Sequence, residues 1–166
     1  MKLRFLHLIL PCLFLLLPGI SGTANSQSVA AITEDKVLDI INSMDRASRK
    51  GTIAGMIGPL ARDVKIKMTV TAPNSAQEQV LTLTKDQYAM LTRRVMRRRI
   101  AYQVARKNTR VKVYEGGDTA MVTSDLYETL TMPEGTLHAV SSEVTVLSIR
   151  SGKILITSLE SRTRIY

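Results

Sequence analysis

Two carboxylates stand apart from their surroundings in the C-terminal half of this 166-residue sequence. Between Thr119 and Thr131, Ala120, Val122, Ser124, Leu126, Glu128 and Leu130 alternate onto the more apolar side of an extended stretch, and Glu128 is its charged member. On the last stretch, Lys153 to Arg164, Ile154, Ile156, Ser158, Glu160 and Arg162 share a side, and Glu160 is odd in a similar way. If both sides face one enclosed space, the pair can act as general acid and base, because burial moves a carboxyl toward the working pH. Tyr88 and Tyr102 supply hydroxyl donors, and with Ser124 and Ser158 they form the candidate ligand-binding set. The plainer alternative pairs each Glu with an Arg such as Arg98 or Arg162, or leaves it at a solvated strand end.

Other chemistries are weakened by count. One Cys allows no intrachain disulfide and no Cys-based zinc site, and two His cannot build a multi-His metal centre. Gly-x-Ser-x-Gly and the usual Gly-rich phosphate loops are absent. No metal or cofactor is expected. His138 lies early in a predicted strand, near a turn, where an exposed position is favoured over catalysis.

Basic residues cluster as Arg93-Arg94-Val95-Met96-Arg97-Arg98-Arg99, followed by Arg106, Lys107, Arg110 and Lys112. Arg93, Arg94, Arg97 and Arg98 are candidates for docking to an anionic membrane or envelope surface. A solvated helix face with some ion pairs is the bland alternative. Few aromatics stand nearby to stack bases, which weighs against nucleic acid.

Residues 1–24 read as a secretory signal peptide. Lys2 and Arg4 precede an apolar run from Leu8 to Ile20, and Gly22 and Ala24 suit cleavage after Ala24. An uncleaved N-terminal anchor is the alternative. Cleavage leaves 142 residues with 21 Lys and Arg against 14 acids, lowering the net charge from +9 to +7. Cys12 and His7 leave with it, and His138 is then the one His. A chain of this size can fold on its core alone. Export without disulfides points to a periplasmic or secreted bacterial protein.

The elements follow from pattern. Residues 25–32 form a flexible lead, and one domain occupies 33–166. Thr33 caps a helix carrying Val37, Leu38, Ile40, Ile41, Met44 and Ala47, which Gly51 stops. A short or irregular helix follows over 52–62. Asp63 to Thr71 alternates as a half-buried strand, and Gln79 to Thr84 is a second. Thr84-Lys85-Asp86-Gln87 has capping-box form, opening a helix with Tyr88, Leu91 and Val95 on one stripe. That helix ends near Arg97, or else Arg98 points inward and needs a carboxylate. Extended chain then runs from Ala101 to Tyr114, with a break near Lys107-Asn108-Thr109, and three long strands follow on tight turns. Helices and strands are segregated, so the class is α+β, with a curled antiparallel meander around the N-terminal helices. Such a sheet encloses a cone-shaped cavity.

Ala61-Arg62-Asp63-Val64, the hairpin Tyr114-Glu115-Gly116-Gly117-Asp118-Thr119-Ala120-Met121-Val122 and the ending Arg150-Ser151-Gly152-Lys153-Ile154-Leu155-Ile156-Thr157-Ser158 carry a family likeness. Over residues 33–164 the chain resembles the nuclear transport factor 2-like superfamily, with ketosteroid isomerase-like and polyketide cyclase-like members. Ile154 stands where that family often has Trp. The resemblance implies the cone fold, a structural Asp63 and a two-fold homodimer covering the opposite sheet face, where Leu155 and Leu159 are expected. It does not imply one activity, because the fold hosts many. The expected function is a non-catalytic domain that binds a small apolar or amphiphilic ligand or a protein. The alternatives are an isomerase, dehydratase or cyclase using the cone's carboxylates, and anionic-surface docking through the Arg-rich helix.

Overall fold

The computed structural model describes residues 31–73 and 77–166; the expected signal peptide, and the lead as far as residue 30, lie outside them. Helix α1 is Glu34–Lys50. The Thr33 side chain accepts from the Lys36 backbone N–H, with Glu34 and Asp35 at the positive helix end. Gly51 ends it in the left-handed conformation (φ 72°), which lets its N–H reach back to the last turn. A single helical turn, α2 (Ile53–Ile57), leads into β1 (Leu60–Thr71), which starts three residues earlier than the alternation suggests. Strand β2 (Glu78–Leu83) precedes α3 (Lys85–Arg98), whose capping box between Thr84 and Gln87 is complete. The meander is β3 (Ala101–Val113), β4 (Thr119–Met132), β5 (Gly135–Arg150) and β6 (Lys153–Ile165).

All six strands form one curved, unclosed sheet in the order β2-β1-β6-β5-β4-β3. Its one parallel pair is β1 with β6. The β5–β6 turn at Ser151-Gly152 has positive φ at both residues (49° and 73°), matching the twist of a tight hairpin. The core lies where α1 meets the concave side: Val37 and Ile41 pack with Leu60, Ile66, Val122, Leu147 and Ile156.

Two irregularities decide which side chains enter the cone. In β3 the register shifts between Lys107 and Arg110, with Asn108 at φ 53°. This is the predicted break. It puts Val104 and Arg106 inside before it, and Val111 and Val113 against the core after it. In β6, Leu147 pairs with Ile156 but Val146 pairs with Ser158, so Thr157 is an extra residue. A one-residue bulge exchanges the two faces of everything beyond it. Ile156 and Leu159 are therefore both buried, and Ser161 and Thr163 line the cone.

Parity at the bulge is open to test by urea denaturation. Leu159→Asp, which buries an unpaired charge, should cost about 3–5 kcal/mol. Glu160→Ala, on the exposed side, should stay within about 0.5 kcal/mol.

Candidate functional site

The inner cavity, of about 140 Å³, is bounded by α1, α3 and the concave faces of β1 and β3–β6. At its base Arg106 is nearly buried (side chain 11% exposed), together with Asp45 (12%) and Glu143 (14%). Arg106 Nε and Nη2 donate to the two carboxylate oxygens of Asp45 at 3.0 and 3.1 Å. Its Nη1 donates to Glu143 Oε1 at 2.8 Å and to Ser124 Oγ. Burial alone would lower the pKa of the guanidinium, but the Asp45 hydrogen bond and the Glu143 charge outweigh it, so Arg106 holds its proton more firmly than usual.

Glu128 lies further toward the mouth. Its carboxylate Oε1 accepts a hydrogen bond from the Tyr102 hydroxyl. Burial pushes the Glu128 carboxyl above the usual range; the Tyr102 hydrogen bond opposes this and the charge of Glu143 adds to it. Tyr102 is itself raised, by burial and then by the Glu128 charge. Tyr88 is partly buried and packed against the core, and its hydroxyl is pushed up to about 12 by burial, with the charges of Glu143 and Glu128 adding.

A wider vestibule of about 250 Å³ adjoins this chamber. Leu91, Val95 and Met96 of α3 face Leu130, Leu137, Ala139 and Ile165 of the sheet across it. The two spaces share Met56, Met68, Tyr88, Tyr102, Glu128 and Thr163, so the polar chamber and the apolar vestibule adjoin along these side chains.

Glu128 and Ser124 thus face the cone as the β4 alternation places them, and Tyr88 as the α3 stripe does, while Tyr102 reaches it from β3 rather than from the helix. Glu160 and Ser158 do not. The Thr157 bulge turns them to the other face, where they line a shallow groove with Lys65 and Lys67, and Glu160 is exposed. The expected Glu128–Glu160 pair does not form. The same bulge moves Leu159 from the expected outer face into the core, and Leu155 also packs against the core. Apolar exposure on the outer face comes instead from residues such as Tyr127 and Val144.

Arg98, the last residue of α3, stays on the surface and pairs there with Glu134. Arg93, Arg94 and Arg97 are exposed. His138 is exposed, 3.1 Å from the Thr129 hydroxyl and stacked on Tyr166. Asp63 is exposed near the start of β1.

Three further chamber residues, Arg106, Asp45 and Glu143, are not among the expected site residues. Arg106 was counted in the basic surface patch, although it shares a face with Tyr102 and Val104. Asp45 sits on the inward side of α1, four residues after Ile41. Glu143 lies on the Ser141-Glu143-Thr145-Leu147 face of β5, which the less polar Val144 and Val146 disguise as the outer one. No cluster of three or more His, Cys, Asp or Glu among the described residues is placed to hold a metal ion.

No family model and no curated protein matches the sequence. Solved structures do match. A protein provisionally described as a scytalone dehydratase, from Novosphingobium aromaticivorans, superposes with a TM-score of 0.62 at 12% identity, over 76% of this chain and 80% of that one. A nuclear transport factor 2-like protein from Cytophaga hutchinsonii gives 0.57 at 16%, over 77% and 95%. One of unknown function from Pseudomonas putida KT2440 gives 0.55 at 14%, over 78% and 84%. The chain has the nuclear transport factor 2-like fold, as its three sequence segments suggested.

The raised groups set a pH dependence. A carboxyl whose folded pKa exceeds its unfolded value binds more protons when folded, so it lowers stability as pH rises from about 4.5 through the folded value. Glu128→Gln should therefore gain stability relative to the parent as pH rises from 4 to 8, measured by urea midpoints. Tyr88 should add a second loss, between about pH 10 and 12, as the unfolded phenol ionises before the folded one. Tyr88→Phe should reduce it.

Proposed function

We propose that this protein binds a small amphiphilic molecule in its cone, with the apolar part in the vestibule and the polar end in the chamber. The observation that carries this reading is the adjacency of the two spaces: an apolar vestibule lies against a chamber with hydrogen-bonding groups on its wall, and six side chains line both. Arg106 does not serve as a free anchor, because Asp45, Glu143 and Ser124 already take its donors. On this reading the protein works in the periplasm or outside the cell, supported by the signal-like pattern of residues 1–24.

Native mass spectrometry of protein purified from its own source should show a retained small molecule. In a protein stripped of that molecule, 1-octanol should bind saturably and raise the melting temperature. Ala139→Phe, which fills the vestibule, should weaken octanol binding at least tenfold. No retained molecule together with no saturable octanol binding would overturn the reading.

A second reading, general acid/base catalysis on the bound molecule, is favoured by the buried, raised carboxyl of Glu128 beside the Tyr102 hydroxyl. The scytalone dehydratase-like neighbour belongs to the same fold, which supports the possibility of such chemistry but not its identity. If the retained molecule is a substrate, Glu128→Gln should keep its binding and lose its conversion. Conversion that survives the substitution would remove Glu128 from the chemistry, and no conversion by the parent protein would leave binding as the whole function.

A further inference from the structure

Among the residues lining the chamber, Arg106 is the sole base, against the acids Asp45, Glu128 and Glu143. The Arg106 charge is answered first by Asp45, through two parallel hydrogen bonds to both its oxygens. Glu143 receives less. Its Oε1 accepts from Arg106 at 2.8 Å and from the Thr145 hydroxyl at 3.3 Å, while its Oε2 has no hydrogen-bond donor among the described residues. Ser161 lies directly across from Glu143 in the β5–β6 register, and both line the chamber. The Ser161 hydroxyl is buried and has no hydrogen-bond partner among the described residues. A buried hydroxyl left unpaired is costly; among the described residues Ser161 Oγ is the one fully buried side-chain polar atom without a partner, so Glu143 Oε2 is not enclosed in the same way. Together they mark a place where a hydrogen-bond donor with positive charge is missing.

We infer that the base of the cone beside Glu143 and Ser161 is an ammonium subsite, so that the ligand is an amine with an apolar tail rather than a neutral or acidic amphiphile. This rests on the cone being a ligand site and adds its charge class. The ammonium group donates to Glu143 Oε2 and to Ser161 Oγ, and the tail passes Glu128 and Tyr102 into the vestibule. A carboxylate head would meet Glu143 and Glu128 with no free cation to answer it.

The chain's positive surface does not reverse this preference. Arg93, Arg94 and Arg97 are exposed, and their fields decay within about 8 Å at physiological ionic strength. The Glu143 carboxylate acts across a small enclosed space, where screening is weak.

Three probes of equal length separate the possibilities: n-octylammonium, 1-octanol and octanoate, titrated calorimetrically against the stripped protein at pH 7. Octylammonium should bind at least tenfold more tightly than octanoate, with octanol between them. Glu143→Gln should remove most of the advantage of octylammonium over octanol, read as the ratio of the two affinities in the same variant. Ser161→Ala, a smaller change that leaves the Arg106 network intact, should weaken octylammonium alone, by about threefold. Equal or reversed affinities for ammonium and carboxylate would overturn the charge assignment while octanol binding upheld the cone as a site. Failure of all three probes would overturn both. Octylammonium binding that survived Ala139→Phe would lie outside the cone and count against the subsite.

Discussion

Arg106 is held where α1 crosses the open side of the sheet, and much of the cone's geometry follows from answering its charge there. Removing a guanidinium from water costs several kcal/mol, which is recovered only if its donors meet acceptors in good geometry. Asp45 provides two from α1, Ser124 one from β4 and Glu143 one from β5. One side chain on β3 thereby ties the helix to three strands. Apolar packing among Val37, Ile41, Leu147 and Ile156 holds α1 against the sheet, but such contacts do not fix one angle or register. The directional bonds to Arg106 do. The site and the scaffold therefore share their central residues, and Glu143 serves both.

Segments with a clean period were legible. α1 announced itself by its cap, its stripe and Gly51, and α3 by its capping box. The inward face of β4 was readable because its apolar residues alternate without interruption from Ala120 to Leu130, which placed Glu128 and Ser124 correctly. The bulge in β3 was visible as a polar interruption at Lys107-Asn108-Thr109. The bulge in β6 was not. Ile154-Leu155-Ile156-Thr157-Ser158-Leu159 contains no Gly, Pro or Asn, and its alternation reads equally well in either parity. An error of one residue there sent Glu160 and Ser158 to the wrong face and Leu159 out of the core. The faces of β5 were not legible for a different reason: its inner side is Ser141, Glu143, Thr145 and Leu147, while Val140, Val144 and Val146 point outward. Judged by hydrophobicity alone, the strand would be turned over.

That inversion is itself informative. A sheet that turns a polar face inward loses burial energy unless the polar groups are satisfied or reserved for something else. Part of the inward set is satisfied internally: Ser141 pairs with Thr163 at 2.9 Å, and Thr145 with Glu143. Part is not, at Glu143 Oε2 and Ser161 Oγ. Local rules are broken most where a fold makes room for a ligand, and the exceptions gather along β5 and β6 at the base of the cone.

A chain with a formal net charge of +9 has thus placed an excess of acid in its interior. The two signs coexist because they lie in different dielectrics. Exposed arginines on α3 face water, where each is solvated and screened. The chamber acids face low-polarity walls such as Ile41, Met44, Leu126 and Ile156, where charge is expensive and any counter-charge is valued. The protein meets that expense in three ways at three acids: Asp45 by a bidentate guanidinium, Glu128 by a shift toward its neutral form beside Tyr102, and Glu143 by a single guanidinium contact. The third leaves one carboxylate oxygen without a donor among the described residues, and on the reading of the cone as an amine site that oxygen is where an entering cation gains most.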